Sequence, residues 1–169
     1  MELSYIIRQL QSNRSTFESL LKNIDPDQYL WKQAPDKWCL LEVVCHLYDE
    51  EREDFRARAR HLLEHPSEPL PPIDPQGWVK ERNYIGKDYN QVVKNLLEER
   101  DYSIQWLNSL SNPSWNNTYE HPRLGTVTAE YFLINWLAHD YLHFRQITRL
   151  KYDYLGKLNN ISLVYAGTW

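Results

Sequence analysis

The chain is predicted to be all-α, a four-helix bundle with long crossover loops. Three observations predict it: four long segments repeat apolar residues at helical spacing, only five glycines occur in 169 residues, and none interrupts those segments. With 42% hydrophobic and 14% aromatic content, the chain can bury one substantial core and has little material for two. Residues 1–169 are therefore read as a single helical domain.

The first helix covers residues 3–22, where Ile6, Leu10, Phe17, Leu20 and Leu21 share a face, and Asp25-Pro26 ends it. Asp36 is placed to cap a second helix through LLEVVCHLYDEEREDFRARARHLLEH, which stops at Pro66. The first half of that helix has an apolar face, while the heavily charged second half is expected to project beyond the core. Pro66, Pro69, Pro71, Pro72 and Pro75 exclude a helix in the next stretch, which reads as an ordered crossover pinned by Ile73 and Trp78.

Asp88 with Gln91 resembles a capping box and opens a third helix through VVKNLLEERDYSIQWLNSL, stopped by Ser111-Asn112-Pro113. A second crossover runs to Gly125. Thr126 or Thr128 then caps a fourth helix carrying EYFLINWLAHDYLHFRQITRL. A short strand from Val127 suits the β-branched start, but the longer helical pattern decides the assignment. In the tail, residues 151–169, Tyr152, Tyr154, Leu155, Ile161, Leu163, Val164, Tyr165 and Trp169 are too apolar for a free end. They are expected to pack on the bundle or on a partner subunit, which points to a homodimer.

The formal net charge is −4, and basic residues are interspersed with acidic ones, so no basic face is available to neutralise phosphates. Nucleic-acid binding is not expected. No run approaches the roughly 18–20 apolar residues that cross a bilayer, and MELSYIIRQLQSNR has Glu2 and further polar residues where a signal peptide is apolar. No membrane association and a cytoplasmic location are expected. Cys39 and Cys45 match neither a disulfide framework nor a Cys-x-x-Cys site, and read as small buried residues of a protein in a reducing compartment.

The chemistry is expected around the fourth helix. On a helical wheel Phe132, Trp136, His139, His143, Gln146, Ile147 and Leu150 share one face, with Asp140 and Arg145 away from it. Imidazoles at i and i+4 on a core-facing stripe can converge on one metal ion, because successive turns stack those side chains. A third ligand must come from another helix, and His46, beside the Leu40, Val43 and Leu47 face, is the natural candidate. Such a site leaves coordination positions open, as a catalytic metal centre does, and imidazoles suit zinc, nickel or ferrous iron better than magnesium or calcium. Asp49 and Glu50 follow His46 by three and four residues. Either is a candidate catalytic proton acceptor, further ligand or orienting partner, although carboxylates in so charged a run are ordinarily solvated.

His61, His65 and His121 read as surface or loop residues. Trp38 and Trp136 read as bundle anchors, while Trp78 and Trp115 lie in the crossovers where a pocket mouth could form. Arg145 reads as a helix-surface arginine within reach of an anionic substrate.

WKQAPDKWCLLEVVCHLYDEE and the later AHDYLHFRQI resemble the DinB/YfiT-like superfamily of metal-dependent enzymes over residues 3–150. The resemblance implies a four-helix bundle holding a divalent metal through three histidines, one on the second helix and two on the last. Carried over, these are His46, His139 and His143. It also implies the tryptophan before the first of them, here Trp38, and the glutamine after the last, here Gln146. Phe144 departs from the pattern, since many relatives carry histidine or arginine there. The resemblance further implies a small-molecule substrate and either of two activities: a thiol-dependent S-transferase or related enzyme with a low-molecular-weight thiol as cosubstrate, or a hydrolase using metal-activated water. A non-enzymatic metal-binding or dimerising domain is the remaining alternative. A thiol enzyme needs a groove with polar or charged groups for the body of the thiol, whereas a hydrolase needs a general acid for its leaving group.

Overall fold

The computed structural model describes residues 3–167, so Glu2 and Trp169 lie outside the described residues. Four long helical rods form the bundle: α1 (Leu3–Leu21), the pair α3 (Leu40–Asp49) and α4 (Arg56–Glu64) joined by a π-helical turn over Glu50–Phe55, α6 (Tyr89–Ser109), and α7 (Ala129–Asn159). Short helices α2 (Pro26–Tyr29) and α5 (Pro75–Glu81) lie in the connections. α1 packs on α6 and α7, α3 on α6, and α4 on α7. Among the described residues no helix is long and apolar enough to cross a membrane.

Helix ends follow capping chemistry, with one displacement from expectation. Asp88 accepts from the Gln91 amide at 2.7 Å, and Thr128 accepts from the Tyr131 amide at 2.9 Å. α3 is capped by Cys39 rather than Asp36: Glu42 reaches back to accept from the Cys39 amide at 2.8 Å, and the thiol completes a reciprocal box. Asp36 stays exposed in the preceding loop.

The first crossover is ordered as expected, but the helix its prolines were expected to exclude is present as α5. Pro75 occupies the first turn of α5, where its missing N–H costs nothing, and Asp74 accepts from the Gly77 amide at 3.0 Å. Trp78 is buried in the core and Ile73 packs beside it. In the second crossover β1 (Thr118–His121) and β2 (Gly125–Thr128) pair antiparallel, His121 opposite Gly125. The β-branched run at Val127 is thus a strand, and the helical pattern begins only after it. Gly125 has φ 71°, a left-handed conformation that glycine adopts without a Cβ clash.

α7 runs nine residues past Leu150, to Asn159. Tyr154 packs edge-on against Trp31 at 5.7 Å between ring centroids, and Lys151 donates to the Leu20 carbonyl at 2.9 Å. Leu155, Leu158, Ile161, Val164 and Tyr165 remain exposed, so much of the tail does not pack on its own bundle.

The core is divided across its middle. One apolar cluster contains Phe17, Leu21, Val43, Leu47, Leu96, Ile147 and Leu150, and the other contains Ile6, Leu10, Phe55, Leu62, Ile104, Phe132 and Trp136. In every rod the change of cluster falls at polar residues: Asn13 in α1, Glu50 and Glu51 in the π turn, Arg100 in α6, and His139, Asp140 and His143 in α7. α4 does not project from the bundle, because Phe55, Ala59 and Leu62 are buried in the second cluster.

Candidate metal centre

His46, His139 and His143 come together in this middle layer, with one nitrogen from each within 4.8 Å of the others. α3 supplies His46 from the turn before the π segment, and α7 supplies the other two from successive turns. The Nε2 atoms of His139 and His143 are 3.0 Å apart, and the His46 ring centre lies 5.4 Å from that of His139 and 5.0 Å from that of His143. Trp38 covers His46 at 4.9 Å, and Phe55 covers His139 at 4.8 Å.

These imidazoles are held neutral. Burial, with repulsion from His143, lowers His46 to about 3. Burial, only partly offset by Gln146 and Asp140, lowers His143 to about 4. His139 is depressed further by burial, its two partner histidines and Arg100. Neutral imidazole is the protonation state a metal requires. The Nδ1 atoms of His46 and His143 are also buried without a hydrogen-bond partner, an unfavourable state for polar atoms unless something else satisfies them. The three-imidazole donor set and its spacing fit a borderline divalent cation.

The two candidate carboxylates part company. Glu50 is buried, and its Oε1 lies 3.9 Å from His46 Nδ1 with no hydrogen-bond partner. Burial and the facing Asp54 raise its pKa well above the usual carboxylate range. Asp54 is ion-paired to Arg58 at 2.8 Å. Asp49 is equally buried, but its oxygens are taken by Tyr84 Oη at 2.6 Å, Arg82 Nη1 at 2.9 Å and Arg52 Nη2 at 2.8 Å. It joins α3 to the crossover, and is not among the groups gathered around the triad. The expectation that this acidic run is solvated fails because the π turn brings Glu50 and Glu51 inward.

Asp140, placed by the wheel away from the core face, is buried and ion-paired. Arg100 donates to Glu51 through Nε and Nη2, both at 2.8 Å, and to Asp140 through Nη1 at 2.7 Å and Nη2 at 2.8 Å. Asn13 donates to Asp140 at 2.9 Å, Trp136 Nε1 donates to Glu51 at 2.8 Å, and the Leu10 carbonyl accepts from Arg100 at 3.2 Å. All four rods meet in this network, one residue from His139 and one from Glu50. A signal for it exists in the sequence: Arg100 lies four residues from both Leu96 and Ile104, and Asp140 four from Trp136 and seven from Ile147, all core-face spacings.

Two cavities reach the triad and meet at Leu142. One, of about 650 Å³, includes His139, Phe55, Arg58, Phe132 and the hairpin tip at Arg123 and Leu124. The other, of about 590 Å³, includes His143, Trp38, Gln76, Arg145 and Gln146. Neither Trp78 nor Trp115 lines them. His61 and His65 lie away from the site on α4 and at its end, and His121 sits in the hairpin on the wall of the larger cavity. Both cysteines are buried, and burial pushes the thiols up, Cys39 to about 11 and Cys45 to about 12, which leaves them protonated and unreactive.

No curated protein matches this chain. Its fold matches that of YfiT from Bacillus subtilis, described as a probable metal-dependent hydrolase with an unusual four-helix bundle topology, with a TM-score of 0.77, 19% identity, and coverage of 94% of this chain and 88% of the other. At that identity the likeness establishes the fold. The sequence model of the DinB superfamily matches residues 9–147, a span that holds all three histidines and reaches into all four rods, and the chain belongs to that superfamily.

Proposed function

We propose that this chain is a divalent-metal-dependent enzyme in which His46, His139 and His143 hold zinc, nickel or ferrous iron. In this reading it is an S-transferase or related thiol enzyme that activates a low-molecular-weight thiol for attack on a small electrophile. The observation that carries it is the convergence of three neutral imidazoles where two cavities meet. A divalent ion there would supply Lewis acidity that lowers the pKa of a thiol or water reaching it. Glu50, 3.9 Å from His46, is the group positioned to take the nucleophile's proton, because a cation held by the triad would offset the burial that otherwise keeps its carboxyl protonated. Trp38 and Phe55 shield the imidazoles from solvent. Asp49 has a structural role, holding Arg52, Arg82 and Tyr84.

Two cavities favour the thiol reading, since transfer between two molecules needs room for both. The second reading, a hydrolase, draws on the description of the similar Bacillus subtilis structure and on Glu50, which could equally accept a proton from water and return it to a leaving group. The exposed Ile134, Tyr141, Leu155 and Leu158 along α7 support a homodimer.

Elemental analysis of untagged protein tests the site. About one equivalent of divalent metal per chain, lost in His143→Ala, is expected of a site with three protein ligands. No metal in either protein, even after adding zinc or nickel, sinks the proposal. Turnover of an electrophile such as 1-chloro-2,4-dinitrobenzene that requires added thiol supports the transferase; metal-dependent ester hydrolysis without thiol moves the assignment to hydrolase.

A further inference from the structure

We infer that the cavity reaching His143 is a subsite for an oxyanion-bearing portion of a reactant, with Arg145 its specificity-determining residue. The cavity reaching His139 takes the apolar portion. The assignment rests on the reading of the histidine triad as a metal centre that binds reactants.

The chain is acidic overall, yet the wall beside His143 reverses that balance, with Lys37, Arg145 and Arg149 against the single acid Asp36. Two of the cations are already engaged, Lys37 with Asp36 at 3.3 Å and Arg149 with Asp153 at 2.7 Å. Arg145 is exposed to the cavity and makes no ion pair among the described residues. Leu142, Arg145, Gln146 and Arg149 follow i, i+3, i+4, i+7 spacing, so one stripe of α7 forms the wall and carries its charge alongside His143.

A guanidinium offers paired N–H groups that match a carboxylate or phosphate in two-point contact, and a neutral partner cannot reproduce this. Gln33, Gln76 and Gln146 add amides that both donate and accept, so the space beside the charge suits a hydrogen-bonding body. The other cavity sets its charge apart from the metal site: Phe55, Ile73, Leu124 and Phe132 line it, and its buried cation Arg58 is neutralised by Asp54. Its second cation, Arg123, stands out at the hairpin tip, whereas Arg145 follows His143 by two residues on α7. A reactant or reactant pair spanning the metal would place its charge beside Arg145 and its apolar end beneath the hairpin.

The test uses full-length protein loaded with cobalt(II), whose thiolate-to-metal absorption band reports binding at the metal. The probes are ω-mercapto acids from 3-mercaptopropionate to 6-mercaptohexanoate, the mercapto alcohols of equal length, and mercaptoalkyl phosphonates. At the best-fitting length the acid or the phosphonate should bind about tenfold more tightly than the alcohol, as one charge-assisted contact predicts. Preference for the carboxylate or for the phosphonate identifies which oxyanion the subsite fits. In Arg145→Gln the ratio should fall toward one with alcohol binding unchanged, whereas the surface control Arg60→Gln should retain it. An acid-to-alcohol ratio near one in the unmodified protein, or one preserved in Arg145→Gln, overturns the subsite. Cobalt that is not retained, or no thiolate band with any probe, overturns the metal-centre reading and the subsite with it, and is distinguishable because even the alcohols then give no signal.

Discussion

Arg100 and Asp140 form a two-point ion pair at 2.7 and 2.8 Å inside the bundle, each no more than 2% exposed. Glu51 completes the charge set on the other edge of the guanidinium. Two carboxylates against one cation leave an excess negative charge in a medium that disfavours it. Neutral donors from Asn13 and Trp136 spread that charge.

Replacing Arg100 with Leu should therefore cost about 3–5 kcal/mol, because it leaves two buried carboxylates unpaired rather than removing one contact. Urea unfolding followed by circular dichroism measures this. A loss within that of an ordinary surface substitution would show that the network relaxes into water.

Acid should destabilise the metal-free protein in a defined window. Each imidazole of the triad titrates near 6.5 when unfolded and lower when folded, so the unfolded chain binds more protons as pH falls. Stability is full above about pH 6.5 and declines toward pH 4, by up to about 1.4 kcal/mol per pH unit for each histidine involved. Melting temperatures between pH 8 and pH 4 should show this slope, and His143→Gln should flatten it. An unchanged slope in that variant would place the titrating groups elsewhere.

Glu50→Gln keeps the shape of the side chain and removes its ability to accept a proton. Metal content should stay at the unmodified level while turnover falls about a hundred- to ten-thousandfold. Retained turnover would remove Glu50 from the chemistry, and lost metal would make it a ligand.

Asp49→Asn should behave in the opposite way. Weakening its contacts to Arg52, Arg82 and Tyr84 should cost about 1.5–3 kcal/mol of stability with metal content and chemistry preserved. Calorimetry beside elemental analysis separates the two outcomes.

The contrast between those carboxylates shows what the sequence could disclose. His139 and His143 were legible because one helix determines their relation, and periodicity alone turns both to the core. The four rods were legible for the same reason. Asp140 falls outside a face drawn through Phe132, His139 and Gln146 but inside the wider one that the buried Leu133 and Leu137 define, and the partner that makes its burial tolerable, Arg100, comes from a different rod. Glu50 and Asp49 differ through their neighbours across the bundle, which no local pattern encodes. Cys39 displaced Asp36 as the cap because Glu42 sits three residues after it, a reciprocal arrangement Asp36 lacks. The tail divides between its two expected settings: Tyr154 and Lys151 pack on the bundle, while Leu155 and Leu158 stay exposed on a helix that continues past the bundle core.

The π turn at Glu50–Phe55 makes the second rod one object mechanically and two in phase. One extra residue in a turn rotates everything beyond it by about 100° relative to everything before it. The stretch that bears His46 and the stretch that bears Arg58 therefore keep separate angular origins, and a wheel drawn through both cannot be correct for either. Removing one residue from this turn would swing Phe55, Ala59 and Leu62 out of the second cluster while leaving His46 in place, so the length of this short segment sets how the two halves of the protein are aligned.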